Sequence, residues 1–150
     1  MRITSGRQDP DAVRALLTAL PDWFGIEAAI DSYVADARTM PTYLATGDDG
    51  TVGGVLLAHR HFPAAAEIHL LAVAPGLHRR GIGRALVGAC EAGLRAGGVR
   101  FLQVKTLGES RPSEAYDRTR KFYLALGFTP LEEFADLWPG NPCLQLVKVL

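Results

Sequence analysis

Residues 71–86 read LAVAPGLHRRGIGRAL, and this stretch decides the fold. It begins as an apolar run typical of a strand, which Pro75 ends, and it continues as a helical pattern. Gly81 and Gly83 fall in the first helical turn, where glycine lets the backbone approach a ligand closely. Unpaired amides and the positive end of the helix dipole favour a phosphate group at that point. Three arginines add positive charge there: Arg79, Arg80 and Arg84.

This loop departs from two common nucleotide-binding motifs. No Lys-Ser or Lys-Thr pair follows its glycines, as a Walker loop requires, and Leu86 stands where the GxGxxG fingerprint needs its third glycine. An ATP-binding use of the loop stays an alternative, weakened by the lack of a carboxylate pair for Mg²⁺. The other alternative is purely structural: a helix start packed closely on a sheet, with solvated arginines.

On both sides of the loop, apolar periodicity divides the chain into helices and strands. Asp9 followed by Pro10 predicts the first helix start, and Gly97-Gly98 ends the helix after the loop. The predicted helices cover residues 10–20, 26–38, 80–96 and 114–126. The predicted strands cover residues 42–46, 51–61, 67–73, 101–106, 129–134 and 144–149. The order ααβββαβαββ, with a right-handed crossover between two parallel strands, predicts an α/β (α+β) fold with a mixed sheet flanked by helices.

Length and composition indicate the class of protein. A chain of 150 residues, 48% of them hydrophobic, is expected to form one domain over residues 1–150. Sixteen basic and 16 acidic residues give no net charge, which argues against nucleic acid or an anionic membrane as a partner. The apolar runs are too short to cross a membrane, the N-terminus lacks a leader pattern, and the two cysteines are far apart. We expect a soluble, reduced, cytoplasmic protein.

Two motifs resemble those of the GNAT superfamily of N-acetyltransferases. Residues 78–83, HRRGIG, resemble the family's pyrophosphate loop, Gln/Arg-x-x-Gly-x-Gly/Ala, with His78 as the departure. Residues 122–128, FYLALGF, resemble the family's FYxxxGF helix end. Both motifs stand in the expected order of elements, and the resemblance covers residues 41–150. It implies a GNAT-like fold with acetyl-CoA as the acetyl donor.

The resemblance also implies which residues hold the cofactor. The strand before the loop pairs with the pantetheine arm in that family, which corresponds to Leu71, Ala72 and Val73. The pyrophosphate is implied to lie on His78, Arg79, Arg80, Gly81, Ile82, Gly83 and Arg84. The family often has asparagine at the end of its fifth strand, and this chain departs from it with Thr106-Leu107-Gly108.

Acetyl transfer to an amine requires loss of the amine proton and protonation of the leaving thiolate. Glu67 and His69 share one face of the predicted strand, so either could take the proton, directly or through water. The resemblance places the base on this strand. It also implies Tyr123 as the general acid, and a phenol with a pKa of ~10 suits a thiolate with a pKa of ~8.5. The structural alternatives are that Glu67 and His69 form a solvated strand face and that Tyr123 is a core residue.

The acceptor is expected to be an amine on a small molecule or peptide. In the resembling family the first two helices form the acceptor pocket, and frequent dimers imply a homodimer. The pocket candidates are Trp23, Phe24 and Tyr33, followed by Trp138 and Asn141. No metal is expected, because His59 and His61 lack a third ligand in local spacing.

A second class of function stays open at this point. A non-catalytic acyl-CoA-binding sensor would need the loop but no acid or base. The presence of both Tyr123 and Glu67 favours an enzyme, an N-acetyltransferase acting by direct attack in a ternary complex.

Overall fold

The computed structural model describes all residues from 1 to 150. Seven strands form one sheet: β1 Arg2–Ser5, β2 Thr42–Thr46, β3 Val52–Phe62, β4 Ala65–Val73, β5 Phe101–Leu107, β6 Thr129–Trp138 and β7 Asn141–Val149. Four α-helices accompany them: α1 Pro10–Thr18, α2 Glu27–Asp36, α3 Ile82–Ala96 and α4 Glu114–Ala125. A short 3₁₀ turn, Pro75–Leu77, connects β4 to α3.

The sheet is mixed, as predicted. Its strand order is β1-β2-β3-β4-β5-β7-β6, and every neighbouring pair is antiparallel except β4 and β5. Helix α3 makes the crossover between these two parallel strands, which confirms the predicted βαβ unit. None of the helices combines the length and apolar character needed to span a membrane.

The observed element order differs from the predicted one at the N-terminus. Strand β1 precedes α1 and pairs with β2 alone, at the edge of the sheet. It has only four residues, three of them polar, so it is too short for an alternating pattern to identify it. The last two strands are longer than their predicted ranges, 129–134 and 144–149, because β6 and β7 form a hairpin that continues until Trp138 pairs with Asn141.

The helices begin where local sequence signals place them. The Asp9 side chain accepts a hydrogen bond from the Ala12 amide ahead of α1, and the Ser113 hydroxyl accepts one from the Tyr116 amide ahead of α4. Gly81 is the N-cap of α3 and has a left-handed φ of +80°, a conformation that glycine adopts without strain. The crossover helix therefore starts directly beyond the end of β4.

The sheet separates two apolar clusters. Helices α1 and α2 cover one face with a cluster that includes Val13, Leu57 and Leu70. Helices α3 and α4 cover the other face with a cluster that includes Leu86 and Tyr123. Each face is buried by a different helix pair, and the site lies where strands β4 and β5 separate between them.

Strands β4 and β5 separate halfway along their length. Their parallel pairing runs from Ala65 opposite Phe101 to Ile68 opposite Val104 and then stops. Both strands continue, β4 to Val73 and β5 to Leu107. The facing backbone groups beyond residue 68 are thus left without a strand partner, and a gap opens in the sheet.

A β-bulge lies at the point where the gap begins. Leu57 of β3 pairs with Leu70 and the next residue, Ala58, pairs with Ile68, so His69 has no opposite residue. Ile68 packs on the α3 side and Leu70 on the α1 side, and the extra residue between them places His69 next to α2. The bulge therefore changes the direction of the His69 side chain at the edge of the gap.

Candidate active site

A cavity of about 1610 Å³ contains the gap. Its walls come from the α1–α2 loop, the separated ends of β4 and β5, the start of α3, helix α4 and the β6–β7 turn. The cavity brings together the predicted catalytic and acceptor residues: Glu67, His69, Tyr123, Trp23, Phe24 and Tyr33. It also includes nine of the ten predicted cofactor residues, the exception being Arg80, whose side chain is exposed outside the lining.

The glycine-rich loop forms one end of the cavity. The amides that follow Gly81 open α3 and have no intrahelical acceptor. A Cβ built on Gly83 would lie 3.1 Å from the Phe122 ring, so glycine allows α3 and α4 to approach closely. Arg79 has a left-handed φ of 60°, and neither it nor Arg84 has a carboxylate within 4 Å. This end of the cavity is positively charged and rich in free N–H donors.

His78 ties the loop to the end of β4. Its Nε2 donates to the Val73 carbonyl oxygen at 2.7 Å, so the ring supports the loop where the family pattern has glutamine or arginine. The predicted contacts at Ala72 and Ile82 are restricted to the backbone, because both side chains are buried in the core.

His69 has an orienting carboxylate. Its Nε2 lies 2.8 Å from Oδ2 of Asp36, the last residue of α2. The Tyr33 ring stands edge-on to the imidazole, with ring centroids 5.3 Å apart. Burial, followed by the charges of Asp36 and Glu67, raises the pKa of Tyr33 above its usual value. An Asp–His pair of this kind fixes the ring and its tautomer, leaving Nδ1 as the nitrogen that can accept a proton.

Glu67 is surrounded by donors. Its Oε1 lies 2.7 Å from His61 Nε2 and 3.5 Å from Gln103 Nε2, and its Oε2 lies 3.4 Å from Lys105 Nζ. The Glu67 side chain is only 12% exposed. Because protein donors already occupy both oxygens, Glu67 is less available than His69 to receive an amine proton.

Tyr123 lies on the opposite side of the gap, on α4. Its ring packs edge-on against Phe122 and Phe128, with centroid separations of 5.2 and 5.4 Å. Burial, with a smaller effect from Tyr33, raises the pKa of Tyr123 well above its ordinary value. The phenol therefore keeps its proton at neutral pH, and its raised pKa makes it a weaker acid than the phenol with a pKa of ~10 expected from the sequence.

The α1–α2 loop is held over the cavity by α4. Trp23 Nε1 donates to Thr119 Oγ1 at 3.0 Å, and the Trp23 carbonyl accepts from the Tyr116 hydroxyl at 2.9 Å. The indole also stands edge-on to His78, with ring centroids 5.7 Å apart. Phe24 packs edge-on against Tyr33 further along the same wall. The predicted acceptor aromatics thus form one continuous wall.

Sequence reasoning missed three residues of this site: Asp36, Lys105 and Tyr116. Asp36 contacts His69, which is 33 positions away in the sequence, and Tyr116 contacts Trp23, which is 93 positions away. No local pattern encodes contacts at such separations. The spacing of Tyr33 and Asp36 on one helix was the only available signal, since residues three apart share a face.

The remaining histidines and the cysteines have structural surroundings. The His59 and His61 rings stand edge-on with centroids 4.4 Å apart, and the structure contains no group of three or more His, Cys, Asp or Glu residues arranged to hold a metal ion. Cys90 and Cys143 are free and buried, and burial raises the pKa of Cys90 to about 12.

Comparisons with known proteins agree with this architecture. The family described as the acetyltransferase (GNAT) domain matches residues 38–130. A GNAT-family structure from Desulfovibrio desulfuricans has 22% identity and a TM-score of 0.80, covering 99% of both chains. A search of curated proteins found no match.

Two further structures with similar folds contain coenzyme A or acetyl-CoA. An aminoglycoside 6′-N-acetyltransferase complexed with coenzyme A has 18% identity and a TM-score of 0.76, covering 99% of this chain and 97% of that one. A GNAT-family acetyltransferase from Elizabethkingia anophelis with acetyl-CoA bound has 20% identity and a TM-score of 0.73, with the same coverage of 99% and 97%. At these identities the likeness establishes the fold.

Proposed function

Because the chain belongs to the GNAT acetyltransferase family, we propose that it transfers the acetyl group of acetyl-CoA to a primary amine. The observation that carries this proposal is the gap between β4 and β5, which has the start of α3 at one end and candidate proton-transfer groups on both sides. Both substrates would meet in this gap, so the amine attacks directly within a ternary complex.

The residues present fit a CoA thioester. The free amides after Gly81, with Arg79 and Arg84 beside them, suit a pyrophosphate. The backbone of Leu71 and the amide of Val73, which have no partner strand at the edge of the gap, suit the amide groups of a pantetheine arm; the Val73 carbonyl oxygen already accepts from His78. In this arrangement the thioester carbon would come close to the bulge at His69, where the strands begin to separate.

The proposed base is His69. It takes a proton from the bound ammonium, and the neutral amine attacks the thioester carbon to form a C–N bond. The tetrahedral intermediate then expels the CoA thiolate as the C–S bond breaks, and Tyr123 gives the thiolate its hydroxyl proton. The nitrogen loses its second proton to the Tyr123 phenolate as the amide forms. His69 releases the first proton to water, which returns both groups to their starting states. The Asp36 contact to His69 and the donors around Glu67 support this choice of base.

His69→Gln is expected to lower kcat about 100-fold, the usual contribution of a general base. Glu67→Gln is expected to lower kcat less than about tenfold, because the Glu67 oxygens already have donor partners. Steady-state kinetics of the two variants measure the difference, and acetyl-CoA affinity, which neither change touches directly, serves as the control. The opposite ranking would assign the base to Glu67.

The function is tested first by isothermal titration with acetyl-CoA, with CoA, ATP and NAD as controls. We expect binding of acetyl-CoA and CoA but not of ATP or NAD. A screen of primary amines, read by CoA thiol release and by the mass of the acetylated product, then tests turnover. Binding without turnover of any amine would favour the non-catalytic acyl-CoA sensor. Absence of binding would mean that the loop is only a packed helix start.

A further inference from the structure

Lys105 and His69 both line the gap where β4 and β5 separate. The parallel pairing places Glu67 opposite Gln103 and Ile68 opposite Val104, and His69 and Lys105 are the first residues beyond it on the two separating strands. Both side chains project from the same face of the sheet, because Lys105 Nζ approaches Glu67 Oε2 at 3.4 Å. Glu67 and His69 are neighbours on that face of β4. Lys105, which is ion-paired with Glu67, therefore lies on the same face of the sheet as the proposed base.

The cavity lining has more positive than negative charge. It includes six Arg and Lys residues, against Asp22 and Glu67 as the only carboxylates. Four of the cations have other surroundings: Arg79 and Arg84 lie at the cofactor loop, Arg118 stacks on the Trp23 ring, and Lys121 pairs with Asp117. Lys105 and Arg111 remain on the acceptor side; Lys105 Nζ also contacts Glu67 Oε2 at 3.4 Å, whereas Arg111 has no carboxylate partner.

Arg111 lies at the mouth of the cavity without a carboxylate partner. Its Nη1 donates to the Gly140 carbonyl oxygen and to Oδ1 of Asn141, both neutral acceptors on the β6–β7 turn. No carboxylate lies within 4 Å of it. These contacts orient the guanidinium without neutralising its charge, so a ligand anion near the turn would find a placed donor.

We propose that Lys105, assisted by Arg111 at the mouth, binds a carboxylate of the acceptor, which makes the acceptor a small amino acid. This inference rests on the proposed function, and names its substrate class. The amino group faces His69 and the carboxylate faces Lys105, while Phe24, Tyr33 and Trp138 provide an apolar wall for the remainder. A polycationic acceptor would find the Glu67 carboxylate already paired with Lys105, Arg111 without a carboxylate partner, and the exposed Asp22 as the one unpaired carboxylate of the lining.

The test compares the protein amino acids with their carboxamides, and with spermidine and kanamycin, as acceptors. For the wild type, kcat/KM is expected to be higher for each accepted amino acid than for its amide. In Lys105→Gln the ratio between the two is expected to fall about 10- to 100-fold, as for loss of a charge-assisted hydrogen bond. Lys105→Arg keeps the charge and should retain most of the ratio. Arg100→Gln, at the far end of β5 beside Phe101, is the matched control and should leave the ratio unchanged.

The ratio of kcat/KM for an amino acid to kcat/KM for its amide distinguishes carboxylate recognition by Lys105 from a purely structural role of this residue. If Lys105 only balanced Glu67, Lys105→Gln would change kcat equally for an amino acid and its amide, and the ratio would not move. That result, or a preference for amides or polycations, would overturn the inference. Acetylation of other amines but of no amino acid would also overturn it and leave the proposed function intact. Acetylation of no amine at all would instead contradict the proposed function.

Discussion

Gly81→Glu is expected to abolish acetyl-CoA binding, raising the dissociation constant at least about 100-fold. Gly81 caps α3 in a left-handed conformation, and a Cβ built there meets no atom within 4 Å. A glutamate side chain would therefore extend into the open space beside the free amides, where the pyrophosphate is proposed to lie. It would place like charge next to a diphosphate at the positive end of the helix dipole. Isothermal titration with acetyl-CoA measures the loss.

Two controls separate charge from backbone strain. Gly88→Glu puts the same side chain on the exposed side of α3, where a Cβ also meets no atom, and should bind acetyl-CoA like the wild type. Gly81→Ala introduces only the left-handed strain of about 1–2 kcal/mol and should give an intermediate loss. Wild-type affinity in Gly81→Glu would show that the pyrophosphate does not bind at this loop.

Tyr123→Phe is expected to lower kcat by about 100-fold or more while leaving the affinity for acetyl-CoA unchanged. The substitution removes only the hydroxyl and preserves the ring contacts with Phe122 and Phe128. Without the phenol proton, the CoA thiolate must leave unprotonated or take a proton from water. Because burial raises the pKa of Tyr123, the wild-type hydroxyl keeps its proton into the alkaline range, and kcat should not fall there through its ionisation. Thiol release at saturating substrates measures kcat.

Tyr43→Phe is the matched control for this experiment. Tyr43 lies on β2 and its hydroxyl faces Gly93 of α3, outside the cavity lining. Its loss should leave kcat at the wild-type value. If Tyr123→Phe also kept wild-type turnover, Tyr123 would be a packing residue, and another donor would have to protonate the thiolate. Tyr116 is the other tyrosine of α4 that lines the cavity, although its hydroxyl already donates to the Trp23 carbonyl oxygen.

Much of the fold could be predicted because its signals are local. Asp9 and Pro10 mark the start of α1, and the change of periodicity around Pro75 marks the turn from β4 into α3. The loop glycines and the FYLALGF segment identify the family, and the family match over residues 38–130 agrees with them. Strand β1 could not be predicted, because four residues at a sheet edge carry almost no periodic signal.

The candidate site could be predicted only in part. The sequence predicts Glu67, His69 and Tyr123 as catalytic candidates from their residue types and their positions in the predicted elements. All three line one cavity. Their different surroundings were not predictable. Glu67 is enclosed by His61, Gln103 and Lys105, whereas His69 is oriented by Asp36, and these contacts are what favour His69 as the base.

Residues a few positions apart specify the helices, most strands, the glycine-rich loop and the family motifs. Tertiary folding sets where β4 and β5 separate, that His69 contacts Asp36 beside its bulge, and that Lys105 pairs with Glu67. Tertiary folding also brings Trp23 into a hydrogen bond with Thr119 of α4, which is 96 positions away in the sequence. The physical reason is that strand register and helix packing minimise the free energy of the whole chain, so contacts between distant segments exist only once the sheet and both apolar clusters have formed.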